Sequence, residues 1–194
     1  MRILLLDNQD SFTYNLAHYV EMITGVLPDV IRGDQFELSL LHVYDGVILS
    51  PGPGLPIEHK SMTLILENLP DDIPVLGICL GMQAIAESYG CKLKNIKSVR
   101  HGIETKIIRT DIDDPLLSGL PGEFIAGSYH SWMVDKRGIS DEIQITSTDL
   151  ENEIISFKHR KIPRFGIQVH PESIMTPHGS TIIENWLRIV KSKS

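Results

Sequence analysis

Cys79 stands in the stretch GICLGMQ, residues 77–83, with a glycine two positions away on either side. Where a strand bends sharply into a helix, G-x-C-x-G exposes the middle side chain, because small flanking residues let backbone approach backbone. The same bend is a helix N-terminus, whose dipole and free N–H groups favour an ionised sulfur and can hold a nearby oxyanion. Such a thiol is a candidate nucleophile, which needs a base, and the base needs an orienting group. VHPES, residues 169–173, offers both: on an extended segment His170 and Glu172 share a face, and Pro171 marks the end of the strand. His130, in SYHSWMV, is a rival base that ranks lower because no carboxylate follows it two residues on. SPGPG, residues 50–54, adds a rigid turn with exposed N–H groups, suited to a developing oxyanion beside the N–H of Leu80. Each stretch has a bland reading, as a packed thiol, a loop histidine beside a solvated carboxylate, and a Pro/Gly turn. Their joint presence favours the reactive one.

Such stretches must be brought together by a scaffold. Residues 2–6 are an unbroken aliphatic run closed by Asp7 and Asn8, the pattern of a strand covered on both faces. Residues 11–22 follow with Phe12, Leu16, Tyr19 and Val20 at helical spacing, and Ser11 or Asp10 can cap the start. Strands at 43–49 and 74–78 alternate with helices at 62–69 and 81–89, which predicts an α/β fold: an open, mostly parallel sheet with helices on both faces. Between 92 and 148 helical periodicity fades, and β-like runs at 104–109 and 142–147 predict added antiparallel strands among loops. Residues 154–158 and 165–169 read as a hairpin across the basic turn HRKIPR, taken as a solvated charge run, and 181–191 as a last helix. In an open α/β sheet the crevice lies beyond the carboxyl ends of the strands, so the Cys79 bend, SPGPG and the VHPES tip are expected on one edge.

The chain has 194 residues, 42% of them hydrophobic, enough for one well-buried core. It shows no repeat, low-complexity tract or linker, so 1–194 reads as a single domain. A net charge of -7 argues against a surface built for nucleic-acid phosphates or anionic lipid. The opening apolar run is too short for a signal peptide or a membrane span, and a cytoplasmic address is expected. Both cysteines read as thiols, Cys91 in SYGCKL as a small buried hydrophobe. The eight histidines show no metal-ligand spacing with Cys, Asp or Glu, so no metal is expected.

LSPGPGLP, GICLGMQ and HPES resemble the three signatures of class I, triad-type glutamine amidotransferase domains. DNQDSFTYNL at 7–16, SYHSWMV at 128–134, PESIMTPHG and ENWL extend the likeness over nearly the whole chain, toward the small subunits of anthranilate synthase and aminodeoxychorismate synthase. The resemblance implies a flavodoxin-like fold and a glutaminase that needs no cofactor and passes ammonia to a chorismate-using synthase subunit. It implies Cys79 as nucleophile, His170 as base and acid, Glu172 as orienter, and Gly52 and Leu80 as oxyanion N–H donors. Gln83, Ser131 and Trp132 would hold the amino-acid end of glutamine. Two positions depart from the family's usual pattern: Ser128, where an Arg precedes Tyr-His-Ser, and Trp132, where a Leu follows. Three other readings remain at this level: an amidotransferase feeding another acceptor, a stand-alone hydrolase or peptidase on the same fold that works without a partner, and a non-enzymatic flavodoxin-like module whose glycine turns cradle a phosphate. The phosphate cradle would require none of Cys79, His170 or Glu172.

Overall fold

The computed structural model describes residues 1–193, leaving the side chains of residues 97 and 98 and, of the expected 1–194 unit, Ser194 outside the description. Along the chain run β1 (Ile3–Asp7), α1 (Thr13–Thr24), β2 (Asp29–Arg32), β3 (Gly46–Leu49), α2 (Lys60–Asn68), β4 (Val75–Ile78), α3 (Leu80–Ser88), β5 (Leu93–Arg109), β6 (Glu123–Val134), β7 (Ile143–Asp149), β8 (Ile154–His159), β9 (Arg164–Ile167) and α4 (Gly179–Lys191). They build one sheet in the order β2-β1-β3-β4-β9-β8-β7-β5-β6. The half from β2 to β9 is parallel, and the half from β9 to β6 antiparallel. The α/β architecture expected from the alternating pattern is the one observed.

The aliphatic run of β1 shows no alternation because both of its faces are buried. Ile3 and Leu5 pack with Leu16 and Val20 of α1 and Ile183 and Trp186 of α4. Leu4 and Leu6 pack on the opposite face with Met62 and Ile65 of α2 and Met82 and Ile85 of α3. Each fully buried Leu contributes about 1.5–3 kcal/mol, so the two cores clamp β1, β3 and β4 and fix the edge at which their carboxyl ends stop.

Several boundaries differ from expectation for identifiable reasons. Only the second half of 43–49 is strand; residues 38–43 wind into a 3-10 turn that leaves Val43 37% exposed. Asp45 sets the break, since its N–H goes to the Arg2 carbonyl while its carboxylate accepts the Arg2 N–H, tying it to the start of β1. Asp10, not Ser11, serves the start of α1: its Oδ1 accepts the Phe12 N–H at 2.8 Å. The middle of the chain is far more regular than its sequence suggests. β5 and β6 pair over their length, but register shifts near Asn95 and His101 break the alternation of β5, which hides the strand from a period-2 reading. The basic turn is also not wholly solvated. Arg164 is 2% exposed, and its guanidinium donates to the carbonyls of Pro70, Asp71 and Ile73 ahead of β4.

Cys91 is buried in the core on the α2–α3 side, where burial raises its pKa and the Ser140 N–H on its sulfur works the other way. Among the described residues no helix is long and apolar enough to cross a membrane.

Candidate active site

β4 and α3 meet at Cys79, whose N–H donates to the Ile167 carbonyl of β9 at 2.8 Å. The residue adopts φ 50°, ψ -102°, a region that L side chains seldom occupy, at a cost of about 1–3 kcal/mol. The flanking glycines make the bend buildable. A Cβ on Gly77 would run into the Gly81 carbonyl group, and one on Gly81 into the Leu49 carbonyl oxygen of β3. The close backbone approach read from G-x-C-x-G is therefore a packing requirement on both sides. Cys79 lines a cleft of about 140 Å³ together with Gly52, Leu80, Gln83, Ser131 and Trp132.

The SPGPG turn is held from the first loop of the chain. The Asn8 N–H donates to the Ser50 hydroxyl oxygen at 2.9 Å, and its Nδ2 donates to the Ser50 carbonyl at 2.9 Å. A side chain at Gly52 would come within 2.7 Å of Asn8 Cβ and 2.8 Å of Leu80 Cδ2, so the turn sits directly against both. Among the described residues the N–H groups of Gly52 and Leu80 donate to no protein acceptor, which leaves both available at the cleft.

The opposite wall comes from β6, the strand hidden in the sequence. Gln83, on the first turns of α3, donates from Nε2 to the Trp132 carbonyl at 2.8 Å and toward Gln168 Oε1 at 3.4 Å. Ser131 and Trp132 are half-buried beside it. Of the two positions that depart from the usual pattern, Ser128 is buried away from the cleft with its Oγ 2.6 Å from Thr105 Oγ1, while Trp132 is part of the wall.

His170 and Glu172 come together, but not by strand alternation. β9 stops at Ile167, and a turn closed by the Ser173 N–H to the His170 carbonyl at 3.2 Å folds the carboxylate back onto the ring. Nδ1 of His170 lies 2.6 Å from Glu172 Oε1, with both side chains buried. The turn is anchored on β6: His170 N–H donates to the Gly127 carbonyl, and Thr176 Oγ1 links the His170 carbonyl to the Gly127 N–H. Tyr129 and Phe12 meet the imidazole edge-on, with centroids 4.9 and 5.7 Å away. Burial alone would lower the basicity of His170, but the Cys79 sulfur and the Glu172 carboxylate outweigh it and push the pKa up to about 10. Nε2 makes no hydrogen bond of good geometry, yet the Cys79 sulfur lies close enough to raise the basicity of the ring.

His130 has the opposite character. It is buried, neither ring nitrogen has a partner among the described residues, and burial, then the Arg100 and His170 charges, push its pKa down to about 4. A histidine held neutral in the fold binds its proton more readily when unfolded, so it favours folding less as pH falls from about 6.5 toward 4. Acidification from pH 7 to pH 5 is expected to lose about 2 kcal/mol through this residue, and His130→Asn should remove that share of the difference between urea midpoints at the two pH values. An unchanged difference would show that His130 titrates normally.

Gln168, Asn8, Phe12 and Tyr129 were not picked out by sequence reasoning. Gln168 directly follows β9, two residues before His170, whereas Asn8 and Tyr129 reach the site only through long-range packing.

The description "Glutamine amidotransferase class-I" matches residues 4–190. Anthranilate synthase component 2 of Lactococcus lactis is 37% identical over 190 residues, covering 97% of this chain and 94% of its own. Aminodeoxychorismate synthase of Streptomyces griseus is 38% identical over 189 residues, covering 96% of this chain but only 26% of that longer protein. A Thermoplasma acidophilum protein of solved structure superposes with a TM-score of 0.88 at 25% identity, over 99% of this chain and 94% of its own. With the match running through every strand and helix that builds the cleft, the chain belongs to the class-I glutamine amidotransferase family.

Proposed function

We propose that this chain hydrolyses glutamine through a cysteinyl thioester and delivers the ammonia to a chorismate-using synthase subunit, in anthranilate or 4-amino-4-deoxychorismate synthesis. The observation that carries the reading is Cys79 on a strained bend, with the unused N–H groups of Gly52 and Leu80 in the same cleft and the His170–Glu172 pair behind it. The high basicity of His170 suits it to take the thiol proton. The thiolate attacks the side-chain amide carbon, and the oxygen charge that develops is met by the two N–H groups. His170 returns its proton to the departing nitrogen, which leaves as ammonia. The imidazole then takes a proton from water, whose oxygen attacks the thioester and releases glutamate and the thiol. Gln83, Ser131 and Trp132 hold the amino-acid end.

The acceptor side of the reading is supported by the names of the relatives, and control by a partner is supported by how the first loop is wired. Asn8 grips the turn that carries Gly52, and Phe12 packs on the His170 ring, so a displacement of this one loop moves both an oxyanion donor and the base. Ile57 and Ile174, on the loops after SPGPG and HPES, are 80% and 98% exposed, which suits an edge that another subunit covers. Alone, the chain is expected to be a poor glutaminase. Adding a chorismate-using subunit from the same source should raise steady-state glutamate production by roughly 100- to 1,000-fold, the worth of one aimed oxyanion donor. Equal rates would refute the gating, and failure to form any complex would count against the small-subunit reading.

A further inference from the structure

We propose that Gln168 is a positioning residue for the nucleophile, holding the Cys79 sulfur with a side-chain N–H whose direction is dictated from the opposite wall of the cleft. The inference rests on the thioester reading above and adds a residue to it. The polarity follows from one backbone group. The Trp132 carbonyl can only accept, so the Gln83 atom that faces it at 2.8 Å must be Nε2. The same NH2 group points at Gln168, 3.4 Å away, which must therefore present its oxygen. Only Nε2 of Gln168 is left, and it meets Cys79 Sγ at 3.4 Å.

Gln168 has no freedom to choose otherwise. The residue is completely buried, and its own N–H is tied to the Ile155 carbonyl of β8 at 2.7 Å. An amide in this place has to be satisfied on both sides, and Gln83 and Cys79 do so; an aliphatic side chain would fill the volume without that requirement. Its chemical value lies in the sulfur. A donor on the side of Cys79 away from the substrate stabilises negative charge on sulfur through a charge-assisted bond and keeps a lone pair aimed into the cleft. Because Gln83 also lines the wall proposed to receive the amino-acid end, the chain Trp132, Gln83, Gln168, Cys79 joins substrate recognition to the nucleophile.

The test uses the Cys91→Ala chain, in which Cys79 is the only thiol, with Gln168→Met and Gln168→Glu added to it. Two quantities are read: the rate of Cys79 alkylation by iodoacetamide without glutamine, and kcat and KM for glutamine with the synthase subunit bound. Gln168→Met should slow alkylation at pH 7.5 and lower kcat by roughly 10- to 100-fold, the loss of one hydrogen bond to a charged group, while KM moves less than about threefold. Gln168→Glu keeps the shape and the acceptor for Gln83. It should be the more damaged variant at pH 8, where a carboxylate faces the sulfur, and its alkylation rate relative to the parent should recover toward pH 5, as a protonated carboxyl O–H replaces the amide donor. His170, His130 and Glu172 are the other titratable side chains around the sulfur; the parent profile carries their titration, so the ratio isolates what the new carboxyl adds, its pull on His170 included. A residue that merely fills space would give no such pH dependence. Wild-type alkylation by Gln168→Met, or a flat pH ratio for Gln168→Glu, overturns the proposal. Absence of glutamine turnover in the parent complex would instead remove the thioester reading, with the alkylation arm still deciding the role of Gln168.

Discussion

Cys79→Ala is expected to lower glutamine hydrolysis by several orders of magnitude, toward the roughly million-fold loss seen when a covalent nucleophile is removed, while the complex still forms product from added ammonia. The asymmetry is the informative part. In the proposed scheme only the glutamine route passes through the thiol and free ammonia enters downstream of it, so a folded variant should retain the second reaction. The fold should survive, because β4 and α3 are held by Gly77, Gly81 and the two cores rather than by the sulfur. Alanine carries the same Cβ as cysteine, so the φ 50° bend costs it no added backbone strain and the loss should report the nucleophile. Glutamate production near the wild-type rate in this variant would sink the assignment.

The second large effect separates the members of the buried pair. His170→Ala should abolish turnover, whereas Glu172→Ala should leave a measurable activity, since in comparable triads removing the orienter costs roughly 10⁴-fold against about 10⁶-fold for the base. The structure adds a pH signature. With the carboxylate gone, burial of the imidazole is opposed only by the sulfur, so the His170 pKa drops from its raised value of about 10. In the proposed mechanism a protonated His170 releases ammonia, so the alkaline limb of the kcat profile should shift to lower pH in Glu172→Ala. An unshifted limb would show that Glu172 does not tune the imidazole. If His130→Ala were inactive while His170→Ala stayed near wild type, the base would be misassigned, despite the absence of any orienting partner on His130.

Features set by neighbours along the chain were legible in the residues themselves. The unbroken run of β1, the helical stripes of α1 and α4, and the glycines around Cys79 depend on local sterics and on which faces are buried, and both leave a periodic or compositional trace. From them the parallel sheet followed, and with it the common edge for the Cys79 bend and SPGPG. What the tertiary structure alone decided involves partners far apart in sequence. Asn8 reaches Ser50 across 42 residues and Gln83 reaches Trp132 across 49, and no local pattern encodes which distant group satisfies a polar side chain. β5 and β6 stabilise each other only once paired, and the register shifts between them erase the alternation that would have announced β5. Arg164 has the composition of a surface charge, yet it is buried because its guanidinium finds three carbonyls before β4 that only the assembled sheet brings within reach. Glu172 was paired with His170 on the assumption of an extended backbone, and the pair does form, but through a turn that exists because β6 supplies Gly127 to hold it.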